Sequence, residues 1–343
     1  MAAAAHMKCF DPKYNLLPKV ELHCHLEGAI RTAPLIDIAR KYGLELPAYD
    51  VAGLDRYVKV YDQQKDLGTV LQAFRIAQNS ITSPTVVERI ADELFEDSAG
   101  QNTKLLEVRF SPDWAFSGHK VNWDEALAGI LRAKERAKAR FGLAIGLIAI
   151  TSRSRGPGSC EKTVDWAIRW KDCIHGIDLA DGEAEHPITD FVGPVLRAKA
   201  AGLKVTVHSG EDTPASAVVE TIRAVNPDRI GHGTRLIHDP AAVELVRARG
   251  IALEMNPWSN YLTSSVKRIE DHPLKRMFDL GLRVTINSDD PEVLDTNLNN
   301  EYRIAHEILG LSLADIAACN RYAVEASFLP EQEKGTVREK YFP

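Results

Sequence analysis

Two rhythms alternate along the chain. Short runs rich in Val, Ile and Leu are each followed by longer stretches in which apolar residues recur every three or four positions. Eight of the short runs read as strands, at 20–26, 105–111, 145–150, 176–180, 204–208, 229–232, 252–256 and 283–287. Helical stretches at 123–141, 189–201, 214–225 and 240–249 fall between them, several closed by a glycine such as Gly202, Gly250 or Gly281. Strand and helix in strict alternation describe a parallel sheet wrapped by helices, and eight such units favour an α/β fold of the closed TIM-type (β/α)8 kind. The region from about 33 to 100 has helical patterning without a convincing strand, so it predicts helices inserted after strand 1. The tail from Asn297 predicts further helices outside the barrel. Residues 1–7, MAAAAHM, read as an expression leader, and 8–343 as one domain without a linker or internal repeat.

Composition narrows the partners. A chain of 343 residues with 45% hydrophobic content can bury a large core, and its formal net charge of −6 leaves no basic surplus for nucleic acid or an anionic membrane. The five cysteines are scattered and never spaced Cys-x-x-Cys, so they suggest neither a disulfide framework nor a thiolate metal site; a reducing cytoplasm fits them. No apolar run approaches the ~20 residues of a membrane span, and no signal-peptide pattern is present at the start. A small-molecule substrate follows, with no nucleic-acid or membrane partner.

Four motifs carry candidate chemistry, and they fall at the ends of the first, fifth, sixth and eighth predicted strands, where a barrel gathers catalytic side chains. In VELHCHLEGA (20–29), alternation along a strand turns His23 and His25 to one face and Cys24 to the other, so two imidazoles can share one metal. KVTVHSGE (204–211) ends a strand on His208 and delivers Glu211 through a tight turn. RIGHGT (229–234) holds His232 between two glycines, which tolerate unusual backbone angles. RVTINSDDPE (283–292) ends on adjacent carboxylates that repel unless a cation or a donor holds them; a metal at Asp289 and a substrate N–H at Asp290 would resolve the conflict. Each motif alone has a bland explanation: ordinary hydrogen-bonded histidines, or aspartates capping a helix before Pro291. Their coincidence at four strand ends does not. Ligands His23, His25, His208 and Asp289, all nitrogen or oxygen, favour one zinc ion per chain with an open position for water.

In this order the motifs resemble the adenosine deaminase family of the amidohydrolase superfamily, from about Pro18 to about Lys334, supported by LLEVRFSP (105–112), GIDLADGE (176–183), NPWSNYLT (256–263) and ASFLPEQEK (326–334). The resemblance implies zinc-dependent hydrolytic deamination of adenosine and 2′-deoxyadenosine. It also implies roles: Glu211 as proton donor to the purine, His232 as the group that orients and deprotonates the water, and Asp290 as partner of ring nitrogen N7. Two departures bear on the substrate. Glu27 stands where many members have Asp beside the ribose, and Asp178-Leu179-Ala180-Asp181 puts Asp181 where they have Gly, with Gly182 one place later. Glu27, Asp181, Gly182 and Asp290 are therefore the candidate substrate contacts, Glu27 on the expectation that strand alternation carries its side chain to the site. Trp258 resembles the nucleoside-acting members, and the insertion after strand 1 is long enough to roof a ribose. Adenine, or an adenine nucleoside modified at the 5′ position such as aminodeoxyfutalosine, is the alternative substrate. A binuclear hydrolase would want a modified lysine on strand 4, and IHGIDLAD (174–181) has none. The cytidine type of zinc deaminase would want Pro-Cys-x-x-Cys, which is absent.

Overall fold

The computed structural model describes residues 8–343, so the expected leader lies outside the described residues. Strands β1 (Lys19–His25), β2 (Thr103–Phe110), β3 (Ala144–Ser152), β4 (Gly176–Ala180), β5 (Lys204–Ser209), β6 (Arg229–His232), β7 (Ala252–Met255) and β8 (Arg283–Ile286) pair in parallel in chain order. Each overlaps a run expected from the sequence. Closure between β8 and β1 rests on a narrow contact: Cys24 bridges Asp289, the His25 N–H donates to the Asp289 carbonyl at 2.8 Å and the Asp289 N–H to the His23 carbonyl at 3.0 Å. The fold is a (β/α)8 barrel.

Helices Trp123–Phe141 and Pro240–Arg249 have the expected ends because their caps are written locally. Asn122 accepts from the N–H groups of Asp124 and Glu125, and Asp239 from those of Ala241 and Ala242. The stretch expected as one helix at 189–201 divides into a 3-10 turn at Ile188–Asp190 and a helix at Val192–Ala200, since Phe191 at φ −115°, ψ 2° interrupts the helical backbone. The insertion after β1 is helical, with Thr32–Tyr42, Val51–Val58, Leu67–Leu71, Phe74–Asn79 and Pro84–Gly100. The tail adds Leu298–Arg303, Leu313–Ala326 and Glu331–Tyr341.

Alternation along the strands sends aliphatic residues outward to the helices and, in this barrel, charged ones inward. Layers of branched aliphatic side chains usually fill such an interior. Here Arg109 reaches Asp178 and Glu254, both at 2.7 Å, and Arg229 reaches Glu254 at 2.5 Å and Glu107 at 2.6 Å, all fully buried. Buried charges are tolerable only when paired and hydrogen-bonded; across β2, β4, β6 and β7 every charge of this lattice is ion-paired, with Arg109 Nε left without a hydrogen-bond partner. At the N-terminal ends of the strands the chain after Leu313–Ala326 plugs the barrel: Ser327 donates to Glu107 at 2.6 Å, and the Arg229 guanidinium stacks 3.5 Å over the Phe328 ring.

Candidate active site

The C-terminal ends of the strands bring the motif residues together. His23 and His25 come from β1, His208 from β5, His232 from β6, and Asp289 and Asp290 from the loop after β8. His23 Nε2 and His25 Nε2 lie 3.1 and 3.2 Å from Asp289 Oδ1 and 3.3 Å from each other. Donor atoms of His23, His208, His232 and Asp289 all lie within 4.8 Å of one another, and a second such group joins His25, Asp289 and Asp290. His232 and Asp289 adopt left-handed backbone at φ 60° and 63°. Such conformations cost roughly 1–3 kcal/mol each and persist where surrounding structure imposes them; for Asp289 the imposing structure is the barrel closure itself.

Carboxylates behind the histidines set their chemistry. His23 Nδ1 donates to Glu254 Oε2 at 2.8 Å and His208 Nδ1 to Asp178 Oδ1 at 3.0 Å. Burial would raise the Glu254 pKa, but Arg109 and Arg229 hold it well below the usual carboxylate range, and Asp178 is likewise held down against burial by His208 and Arg109. A carboxylate at Nδ1 fixes the hydrogen there and leaves an Nε2 lone pair for a cation. That lone pair on His23 converges with the His25 nitrogen and a carboxylate oxygen of Asp289, as ligands of one shared cation would. The donor set fits a divalent metal. Motif reading missed Glu254 and Arg109 and gave Asp178 no role; the available signal was charge at inward positions of strands otherwise apolar.

Glu211 is buried beside this cluster. Its Oε1 accepts from the Thr263 hydroxyl at 3.0 Å and its Oε2 lies 3.6 Å from His232 Nε2. Burial, then the nearby charges of Asp289, Glu183 and Asp212, push its pKa well above the ordinary value. Glu183 anchors the turn that delivers it, accepting from the Gly210 N–H at 2.8 Å and the Thr213 hydroxyl at 2.5 Å. Asp290 is raised well above its ordinary value by burial and then by Asp289, Glu27 and Glu211, and its Oδ1 has no hydrogen-bond partner. That oxygen lies over Gly28, where an added Cβ would fall 1.9 Å from it.

Glu27 corrects one step of the sequence argument. Leu26 turns to φ −61°, ψ −42°, and Glu27 begins a 3-10 turn, Glu27–Ala29, so strand alternation does not reach it. It lines the cavity nonetheless. Its Oε1 accepts from the Ser111 N–H at 2.7 Å, Oε2 has no partner, and burial pushes its pKa up to about 7. Asp181, at φ 62°, also lines the cavity with Gly182, but its carboxylate is engaged by the Ser152 hydroxyl and by the N–H and hydroxyl of Ser154. Trp258 lies in the core, its Nε1 donating to the Leu294 carbonyl at 2.9 Å, and is not part of the cavity wall. The cavity has a volume of about 910 Å³, and residues 65–78 of the insertion form its roof, with Leu67, Val70, Leu71 and Phe74 as apolar surface above the polar floor.

Known proteins match this chain along most of its length. The family model described as adenosine deaminase matches residues 18–341. An adenosine deaminase of Erwinia tasmaniensis is 33% identical over 324 residues, covering 94% of this chain and 98% of that one. Among solved structures, an adenine deaminase from Arthrobacter aurescens superposes with a TM-score of 0.88 at 26% identity, covering 95% of this chain and 98% of its own. An amidohydrolase from Burkhoderia ambifaria with bound zinc does so at 0.86 and 25% identity, covering 96% and 90%.

Proposed function

The chain belongs to the adenosine deaminase family and is a hydrolase that deaminates adenine-type substrates, and from that premise we propose that it converts adenosine and 2′-deoxyadenosine to the inosine products and ammonia with one zinc per chain. The observation that carries this reading is a buried Glu211, its pKa raised by that burial, beside a convergent His/Asp cluster that opens into a roofed cavity of nucleoside size. His23, His25, His208 and Asp289 would hold the metal. When bound, zinc lowers the pKa of a water it holds to about 7 and so supplies a nucleophile at neutral pH.

The chain's own residues do the rest. Addition of the water oxygen to C6 pushes electron density onto N1, and Glu211 places its proton there. N7 of adenine carries no hydrogen, so its partner must donate, and Asp290, kept protonated by burial and by its acidic neighbours, can do so through Oδ1. His232 faces the water through Nε2. The unpartnered Oε2 of Glu27 accepts a ribose hydroxyl, and Gly182 and Asp181 form the wall on the far side. One proton of the water replaces the one Glu211 gave to N1 and the other passes to the amine, so C6 keeps the oxygen and expels ammonia. Residues 8–343 work as one catalytic unit, and their five free cysteines suit a reducing cytoplasm. Among the described residues no helix is long and apolar enough to cross a membrane.

A substrate panel tests the proposal: adenosine, 2′-deoxyadenosine, adenine and 5′-modified adenine nucleosides, followed by ammonia release. The two nucleosides should have the highest kcat/KM. A higher value for adenine, as the name of the Arthrobacter aurescens neighbour would suggest, or for a 5′-modified nucleoside, refutes the assignment of substrate. Elemental analysis should find one zinc, lost together with activity in Asp289→Ala.

A further inference from the structure

Two histidines of the cluster have an acceptor at Nδ1, and a third has a donor. His272, on the loop before Leu274–Asp279, is buried, and burial pushes its pKa down to about 3, so it is neutral and carries one N–H. Its Nδ1 accepts from the backbone N–H of Leu274 at 3.2 Å, which puts its hydrogen on Nε2, 3.1 Å from Asn260 Oδ1. A backbone N–H cannot change sign. Asn260 is itself fully buried, so with its oxygen engaged by His272 its amide nitrogen is what faces His232 Nδ1, at 2.9 Å. Asn256 presents its Nδ2 to the same atom at 3.1 Å while donating to the Glu254 carbonyl at 3.3 Å. Its Oδ1 has no partner, so Asn260 carries the argument.

We infer that His232 is held in its Nε2–H tautomer by this relay, Leu274 N–H to His272 to Asn260 to His232 Nδ1, with Asn260 and His272 as positioning residues. An imidazole nitrogen that faces an amide N–H must be bare, and a neutral ring then carries its hydrogen on the other nitrogen. Two consequences follow. His232 lies as close to His23, His208 and Asp289 as a ligand would, yet a nitrogen bearing hydrogen has no lone pair to coordinate; the relay is what separates His232 from the ligand set and leaves that place to His25. Toward the reacting oxygen His232 is a hydrogen-bond donor, a role that replaces the expected one of taking the water's proton. This second consequence rests on the proposed deamination; the tautomer does not.

The test is a long-range proton–nitrogen correlation spectrum of the protein labelled with 15N-histidine, zinc-free and zinc-loaded, at neutral pH. The expected pattern is a bare Nδ1 and a protonated Nε2 for His232 in both states, the reverse for His208 and, once zinc is bound, for His23, and zinc-induced shifts at Nε2 of His23, His25 and His208 only. A proton on Nδ1 of His232, or a zinc shift at its Nε2, overturns the inference. Asn260→Asp puts a carboxylate oxygen at Nδ1 and should move the hydrogen there, lowering kcat by about 10–100-fold with little change in KM, the range typical of partners behind a metal site. His272→Gln, which retains an N–H for Asn260, should keep tautomer and kcat, whereas His272→Leu should keep neither. An Asn260→Asp protein with the wild-type tautomer also overturns it. If Asn260→Asp fails to fold, the wild-type spectra decide alone, and they do so whichever substrate the panel identifies.

Discussion

The roles proposed for Glu211 and Asp290 depend on carboxyl groups that hold protons more tightly than surface carboxyls do. Burial is the first cause for both and neighbouring carboxylates the second. For Glu211 the consequence is direct. Glu211→Gln preserves shape and the Thr263 contact but has no proton to give, so kcat should fall by about 10²–10⁴-fold, the usual contribution of a general acid. Zinc content should be unchanged, which separates this loss from a ligand defect; a Gln variant with wild-type kcat would move the proton source elsewhere. Glu27 is the residue-scale test of substrate. Glu27 lines the cavity and its Oε2 has no hydrogen-bond partner, so Glu27→Ala should raise KM for adenosine much more than for adenine, which has no sugar to lose a contact. The same variant leaves the buried Ser111 N–H without its acceptor, and about 1–3 kcal/mol of stability should go with it. An equal penalty on both substrates would remove Glu27 from the ribose.

The element that matters most is the short 3-10 turn Glu27–Ala29 beneath the loop after β8. It turns the chain out of β1 immediately after the second histidine, and its Gly28 leaves the space into which Asp290 folds. Gly28→Ala would put a methyl 1.9 Å from Asp290 Oδ1, and Asp290 rather than the backbone must yield, because Gly28 also accepts from the N–H groups of Glu292 and Val293 at 2.9 and 3.2 Å. Displacement of a positioning group by about 1 Å can cost 10²-fold, so kcat/KM should drop on that order with zinc retained. Unchanged kcat/KM would show that Asp290 does not position the ring. The helix ends at Asn122 and Asp239 were legible because a cap lies within three residues of what it caps. The turn at Glu27 was not, since its cause is the barrel closing on Asp289, far along the chain.

At the scale of the whole molecule, a barrel with a charged interior ties stability to pH through groups that move in opposite directions. Glu301, buried under the site, accepts from the Trp258 N–H at 3.0 Å and the Thr296 hydroxyl at 2.5 Å, yet burial pushes its pKa up to about 8. The folded chain therefore keeps a proton that the unfolded chain has lost above its ordinary carboxylate range, so this group's contribution falls as pH rises from about 4.5 toward 8. Buried neutral histidines such as His272, lowered to about 3, act in the opposite sense below their ordinary value. A difference isolates the glutamate. In urea unfolding of the zinc-free chain, the stability of wild type relative to Glu301→Gln should decline across that window; a difference that stays level or grows would contradict a raised pKa.

Local chemistry was enough to determine the eight strands, the capped helices and the residues at the rim. Each leaves a trace within a few positions: alternation of two for His23 and His25, a period near 3.6 for the helices, and adjacent aspartates after an apolar run. Tertiary structure alone decided what those residues are to one another. Glu254, 231 positions from His23, fixes its tautomer, and Asp178, 30 positions from His208, does the same there. Glu27 reaches the cavity by a turn instead of a strand, Asp181 gives its carboxylate to two serines, and Trp258 sinks into the core. The reason is physical: a hydrogen-bond partner across the barrel leaves no periodicity in either segment. A protonation state depends on how much water and charge the finished fold leaves around a group, which no stretch of chain can specify before the strands have closed.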